Sequence, residues 1–191
     1  MRRAAVCSIL LAMCTESREV DTFVIMLCGI PGSGKSTVAA ELVRRLGDVE
    51  IIATDVIGGR GGRYRKLRER LQRLADRRRF VILDGTFFVR AVREGIREMG
   101  HPVLLAHLKC PVEVCLERNR GRRDAIPEKG VLAMRLRFEE PGADEAPLLI
   151  RTDKIDPGTA AKRIHRAVAD RLQRGAGGGG GREPGESGGG A

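Results

Sequence analysis

Nine residues constrain this chain more than any other stretch: Gly29-Ile30-Pro31-Gly32-Ser33-Gly34-Lys35-Ser36-Thr37. They fit the pattern of a glycine, four variable positions, then Gly-Lys-Ser/Thr. Glycines at 29, 32 and 34 let the backbone turn sharply and approach a ligand where a Cβ would stand in the way. The turn aims successive N–H groups at one point, and a helix starting near Lys35 adds the positive end of its dipole. Such a nest binds phosphate. Lys35 is placed to reach the β- and γ-phosphates of ATP and Ser36 to ligate Mg²⁺. Gly29, Pro31, Gly32, Ser33, Gly34, Lys35, Ser36 and Thr37 are therefore the expected nucleotide contacts.

The flanks agree with this reading. Phe23 to Cys28 is a continuous apolar run, the pattern of a buried parallel strand. Val38, Ala39, Leu42, Val43 and Leu46 recur at helical spacing, and Gly47 supplies a stop. Further strands are expected at Val49–Ala53, Phe80–Asp84, Val103–Leu108 and Leu148–Ile150. Helices are expected at Tyr64–Arg77, Arg90–Met99, from Pro111, from Pro127, and at Thr159–Arg174. This alternation predicts an α/β fold of the P-loop NTPase type, nucleotide-kinase-like. Its five-stranded parallel sheet is covered by helices on both faces. Ligands then gather at the carboxyl ends of the strands, where Asp55 and Asp84 both lie.

The chain of 191 residues carries a net charge of +10, and most of the excess is local. Between Arg60 and Arg79 ten cationic side chains face only Glu69 and Asp76. The segment reads either as a surface for a polyanion such as tRNA or as an arginine-rich compositional bias. Aromatic residues make up 3%, which argues against a stacking platform for single strands. The cysteines at 7, 14, 28, 110 and 115 have no metal-ligand spacing and read as reduced thiols, some of them buried.

Residues 1–21 begin with arginines and an apolar run that imitates a secretory signal but is too short to span a bilayer. They are read as a non-essential extension, because an ATP site belongs in the cytoplasm, and no membrane partner is expected. Residues 22–174 are expected to form a single P-loop domain. The glycine-rich tail 175–191 is expected to be disordered. Oligomeric state has no signature here.

Several stretches beyond the phosphate loop carry a resemblance. Val81-Ile82-Leu83-Asp84-Gly85-Thr86 leading to Arg93 is one. Leu116-Glu117-Arg118-Asn119 with Arg122 is another, followed by Ile126-Pro127-Glu128 and Phe138-Glu139-Glu140-Pro141-Gly142. Together they resemble the seryl-tRNA(Sec) kinase family over about Phe23 to Asp156. The resemblance implies ATP- and Mg²⁺-dependent phosphorylation of the serine esterified to the selenocysteine tRNA. It implies catalytic roles for Lys35, Asp55, Arg118 and Arg122. Asp55 would handle the acceptor hydroxyl, and the two arginines would belong to a lid at about 118–130, within a kinase domain of residues 22–174, that covers the phosphates. Ser36 and Asp84 would hold the metal, and Arg60, Thr86 and Arg93 would meet the substrate.

Two departures stand out. Gly58 occupies a position where the family tends to carry arginine, with Arg60 the nearest substitute. A glycine-rich stretch also follows the core where the family continues into a helical tRNA-binding domain. Two alternatives stay open: a small-molecule or nucleotide kinase (adenylylsulfate- or polynucleotide-kinase-like), and an ATPase module in tRNA modification.

Overall fold

In a computed structural model, residues 22–54, 62–75 and 77–176 are described, with side chains given to residue 174. The expected extension at 1–21, the tail beyond 176, Asp55, Gly58, Arg60, Cys7 and Cys14 lie outside the described residues. Five strands alternate with six helices among those described: β1 Phe23–Cys28, α1 Lys35–Leu46, β2 Val49–Ala53, α2 Arg63–Leu74, β3 Phe80–Asp84, α3 Arg90–Arg97, β4 Val103–Lys109, α4 Val112–Arg120, α5 Glu128–Leu136, β5 Leu148–Arg151 and α6 Pro157–Ala176.

The strands form one parallel sheet in the order β2-β3-β1-β4-β5. β1 is central, and all six of its residues are buried, as its unbroken apolar run requires. Phe23, Ile25 and Leu27 face α1 and α6, packing with Val38, Leu42, Ile164 and Val168. Val24, Met26 and Cys28 face the other way, toward Leu67 and Leu71 of α2, Ile96 of α3 and Cys115 of α4. Helices therefore cover both faces.

β1 has β3 on one side and β4 on the other, so the connections leaving its neighbours diverge there. A crevice at the carboxyl end of β1 follows from that divergence. The phosphate loop starts in it. α6 begins two residues before its expected start because Asp156 caps it, accepting from Thr159 N–H at 2.9 Å and Thr159 Oγ1–H at 2.6 Å. α2 is shorter than expected and ends at Leu74.

Candidate functional site

The loop after β1 is held tightly. Ser33 N–H donates to Ile30 O at 3.1 Å, and Gly29 N–H to Thr86 O at 3.3 Å. Gly32 has φ +85°, and a Cβ there would lie 2.2 Å from the carbonyl oxygen of Cys115 in α4. Gly34, with φ +89°, sits at the N-cap of α1 without offering a side-chain cap. The first turn of α1 contains no acidic residue, so its N-terminal N–H groups and dipole face the loop with no carboxylate of that turn to offset them. Lys35 Nζ donates to Ile30 O at 3.0 Å, folding the ammonium back over the loop. Inside the loop the Ser33 hydroxyl is fully buried, with no hydrogen-bond partner among the described residues.

A cavity of about 270 Å³ opens above this loop, lined by Gly32, Gly34, Lys35, Ser36, Thr37, Arg118 and Arg122. Two residues expected to form a lid thus share one cavity with the phosphate nest. Arg118 is anchored, with Nη2 donating to Thr152 O at 2.9 Å. The Arg122 guanidinium has no hydrogen bond or ion pair among the described residues. An adjoining cavity of about 240 Å³ shares Gly34, Thr37 and Arg118 and continues to Ile155, Asp156 and Pro157. Those three are contributors that sequence reasoning missed, although the Asp156-Pro157 helix-start signal could have drawn attention to them.

The lid segment differs in detail from expectation. Arg118, Asn119 and Arg120, at the start of the expected lid, lie in the last turn of α4. Asn119 is buried and clamps the chain beyond, with Nδ2 donating to Ile126 O at 2.6 Å and Oδ1 accepting from Ile126 N–H at 3.1 Å. Arg120 pairs with Glu128 at 2.6 Å. Asn119 is a positioning residue that the sequence marked only as the neighbour of Arg118.

Asp84 ends β3, in register with Leu27 of β1 and Ala53 of β2. It is nearly buried, and its carboxylate has no partner among the described residues. Residues 84–86 run beside 27–29, which brings that carboxylate next to the start of the loop. Mg²⁺ takes one or two protein oxygens and completes its shell with phosphate and water, so an exposed Ser36 hydroxyl and an unpaired Asp84 carboxylate suit it. Thr86 contributes through its carbonyl, which also accepts from the Cys28 thiol at 3.3 Å.

Arg93 corrects an expectation. Its side chain has no exposure and forms a two-pronged pair with Glu145, at 2.7 and 2.6 Å. A third bond runs from Nη1 to Phe87 O at 2.8 Å. With its donors so engaged in the interior, Arg93 is not a substrate contact here but a tie between α3 and the segment before β5. The Arg93 hydrogen bonds hold the Glu145 carboxyl below the usual range. The Phe138-Glu139-Glu140-Pro141 stretch is likewise structural. Phe138 stacks on His107 at 5.5 Å, Glu139 accepts from Arg90 N–H at 2.6 Å, and Glu140 pairs with Lys109 at 2.6 Å.

Burial pushes the Cys28 and Cys115 thiols up to about 12, which leaves them inert. Among the described residues Cys28, Cys110 and Cys115 are free thiols. Among the described residues no helix is long and apolar enough to cross a membrane.

A family model described as an AAA domain matches residues 24–141. Among curated proteins the chain is similar to L-seryl-tRNA(Sec) kinase of Homo sapiens, 29% identical over 70 residues, which is 35% of this chain and 20% of that protein. The chain thus spans about a fifth of the length of the curated relatives it matches. Among solved structures it resembles a sugar kinase from Janibacter sp. HTCC2649, with TM-score 0.64 and 22% identity over 78% of this chain and 94% of that one. It also resembles the Mycobacterium tuberculosis APS kinase in complex with AMPPNP and APS, with TM-score 0.64 and 18% identity over 78% of this chain and 98% of that one. At these identities the structural likeness speaks to the fold.

Proposed function

The chain belongs to the AAA domain family, and from that membership and the site we propose that it is an ATP- and Mg²⁺-dependent kinase. It moves the γ-phosphoryl group to an acceptor hydroxyl, and we assign that hydroxyl to the serine of seryl-tRNA(Sec). One observation carries the kinase reading: Lys35, Ser36, Arg118 and Arg122 line a single cavity. The first two would bind the resting phosphates. The second pair would meet the charge that builds on the phosphoryl group as it transfers, where preorganised cations lower a barrier most. The nucleoside end would lie along Ile155 and Pro157, in the adjoining cavity.

Mg²⁺ held by Ser36 and Asp84 would offset phosphate charge. Asp55, at the end of the second strand in sequence, would accept the acceptor proton as the new O–P bond forms and the bond to ADP breaks. The similarity to L-seryl-tRNA(Sec) kinase supports the acceptor assignment.

A small-molecule acceptor is favoured by a different observation. The kinase folds named above are covered over 94% and 98% of their length, against 20% for the tRNA-directed relative. The two readings part in one experiment: γ-labelled ATP is supplied with serine-charged total tRNA or with a panel of polyols and sugars. The proposal expects label on the seryl ester. Label on a polyol alone overturns the acceptor assignment, and label released only as inorganic phosphate overturns the kinase.

A further inference from the structure

A groove of about 620 Å³ runs between α2 and α3, apart from the nucleotide cavities. Its floor includes Val92 and Gly95 of α3, and one wall is the face of α2 that carries Tyr64, Arg65, Arg68, Glu69 and Gln72. α2 holds six cationic residues and one glutamate, and only Leu67 and Leu71 of it are buried. Part of this charge is answered within the molecule: Arg65 pairs with Glu69 at 2.7 Å and Arg70 with Glu50 at 3.3 Å. Arg68 is not answered among the described residues. Its Nη1 reaches across to 3.8 Å from where a Gly95 Cβ would stand.

One mouth of the groove points at the chemistry. Tyr64, the chain's one tyrosine, sits with its ring 6.2 Å from that of Phe87. Phe87 follows directly on Thr86, whose carbonyl is bonded to Gly29 of the phosphate loop. Both helices start at the carboxyl edge of the sheet, α2 after β2 and α3 after β3. A strand lying in the groove therefore leads toward the site of transfer.

We propose that this groove seats the single-stranded 3′ end of an RNA acceptor, an inference that rests on the tRNA reading above. At 1.5 Å per residue, Arg65, Arg68 and Gln72 span about 10 Å, the length of roughly three stacked bases at the 3.4 Å rise of a helical strand. Guanidinium planes and the Tyr64 ring supply stacking surfaces, and the absent side chain at Gly95 leaves space for a base. Phosphates along the strand meet the cations of α2. The scarcity of aromatics is thereby met by arginine, which stacks on bases as well as pairing with phosphate.

Fluorescence anisotropy without nucleotide tests this, using labelled unfractionated tRNA and the same tRNA trimmed of its last three nucleotides. Trimming should weaken binding to the wild type about tenfold. Gly95→Leu, which fills the groove and removes no charge, should weaken intact tRNA by a similar factor and leave trimmed tRNA and ATP binding unchanged. Arg65→Glu with Arg68→Glu should lower the slope of log affinity against log salt by about 1.4, the value for two single-strand phosphate contacts. Equal binding of intact and trimmed tRNA to the wild type overturns the proposal and needs no variant. So does a folded Gly95→Leu that binds intact tRNA normally. Terminus binding without label on seryl-tRNA refutes the acceptor assignment and leaves the groove standing. Full transfer to seryl-tRNA by Gly95→Leu refutes the groove and leaves the acceptor standing.

Discussion

Gly32 shows how little room the phosphate loop has. Alanine there would put its methyl 2.2 Å from the Cys115 carbonyl, at a φ of +85° that side chains disfavour. Gly32→Ala should therefore cost roughly 1–3 kcal/mol of stability and most ATP affinity, read by thermal melts and nucleotide titration. The Arg93–Glu145 pair is a second sharp case, since both side chains are almost wholly buried. Arg93→Met leaves the buried Glu145 carboxylate with only Arg97, at 3.3 Å, and the Gly142 N–H, at 3.2 Å, and should destabilise by about 3 kcal/mol, a fall of roughly 10 °C in Tm. Adding Glu145→Leu should recover much of that loss. A single variant as stable as the wild type would show the pair to be incidental. The sequence announced a charge at 93 but not its direction, because its partner lies 52 residues away. Glycine and lysine in the phosphate loop were legible for the opposite reason, since their roles are fixed by local backbone geometry.

At the scale of elements, β4 carries a titratable group in the interior. Burial pushes the His107 imidazole down to about 4, from its ordinary 6.5. The unfolded chain then binds a proton more readily than the folded one, so stability is complete above about pH 6.5 and declines as pH falls toward 4. Between pH 7.5 and 5 the loss should be about 2 kcal/mol, and His107→Phe should flatten it in denaturant titrations. An unchanged pH profile in the variant would place the effect elsewhere. The two arginines beside the phosphate loop carry a kinetic prediction. Arg118→Ala and Arg122→Ala should each lower kcat by about tenfold or more, with a smaller change in ATP affinity, because their charge counts most in the transition state. Equal effects on both constants would make them ordinary binding residues. That α4 runs through Arg118–Arg120 was hidden by the arginines themselves, whose polarity reads as loop. Only the buried Asn119 and its bonds to Ile126 reveal the clamp.

For the molecule as a whole, the alternation of apolar runs and helical stripes was enough to indicate a parallel sheet covered on both faces. Strand order was not legible. Five short apolar runs look alike in a sequence, and the exposure that marks β2 as an edge emerges only when its neighbours are placed. Yet that order is what brings Asp84 beside the phosphate loop, through the pairing of Leu27 with Asp84. The most direct test of the account follows the γ-phosphate of labelled ATP through a single turnover with serine-charged tRNA, for the wild type and Lys35→Ala. Label is expected on the acceptor with the wild type and almost none with Lys35→Ala, which removes a phosphate-facing ammonium. Equal transfer by the two proteins, or label appearing only as inorganic phosphate at a rate indifferent to acceptor, would contradict it.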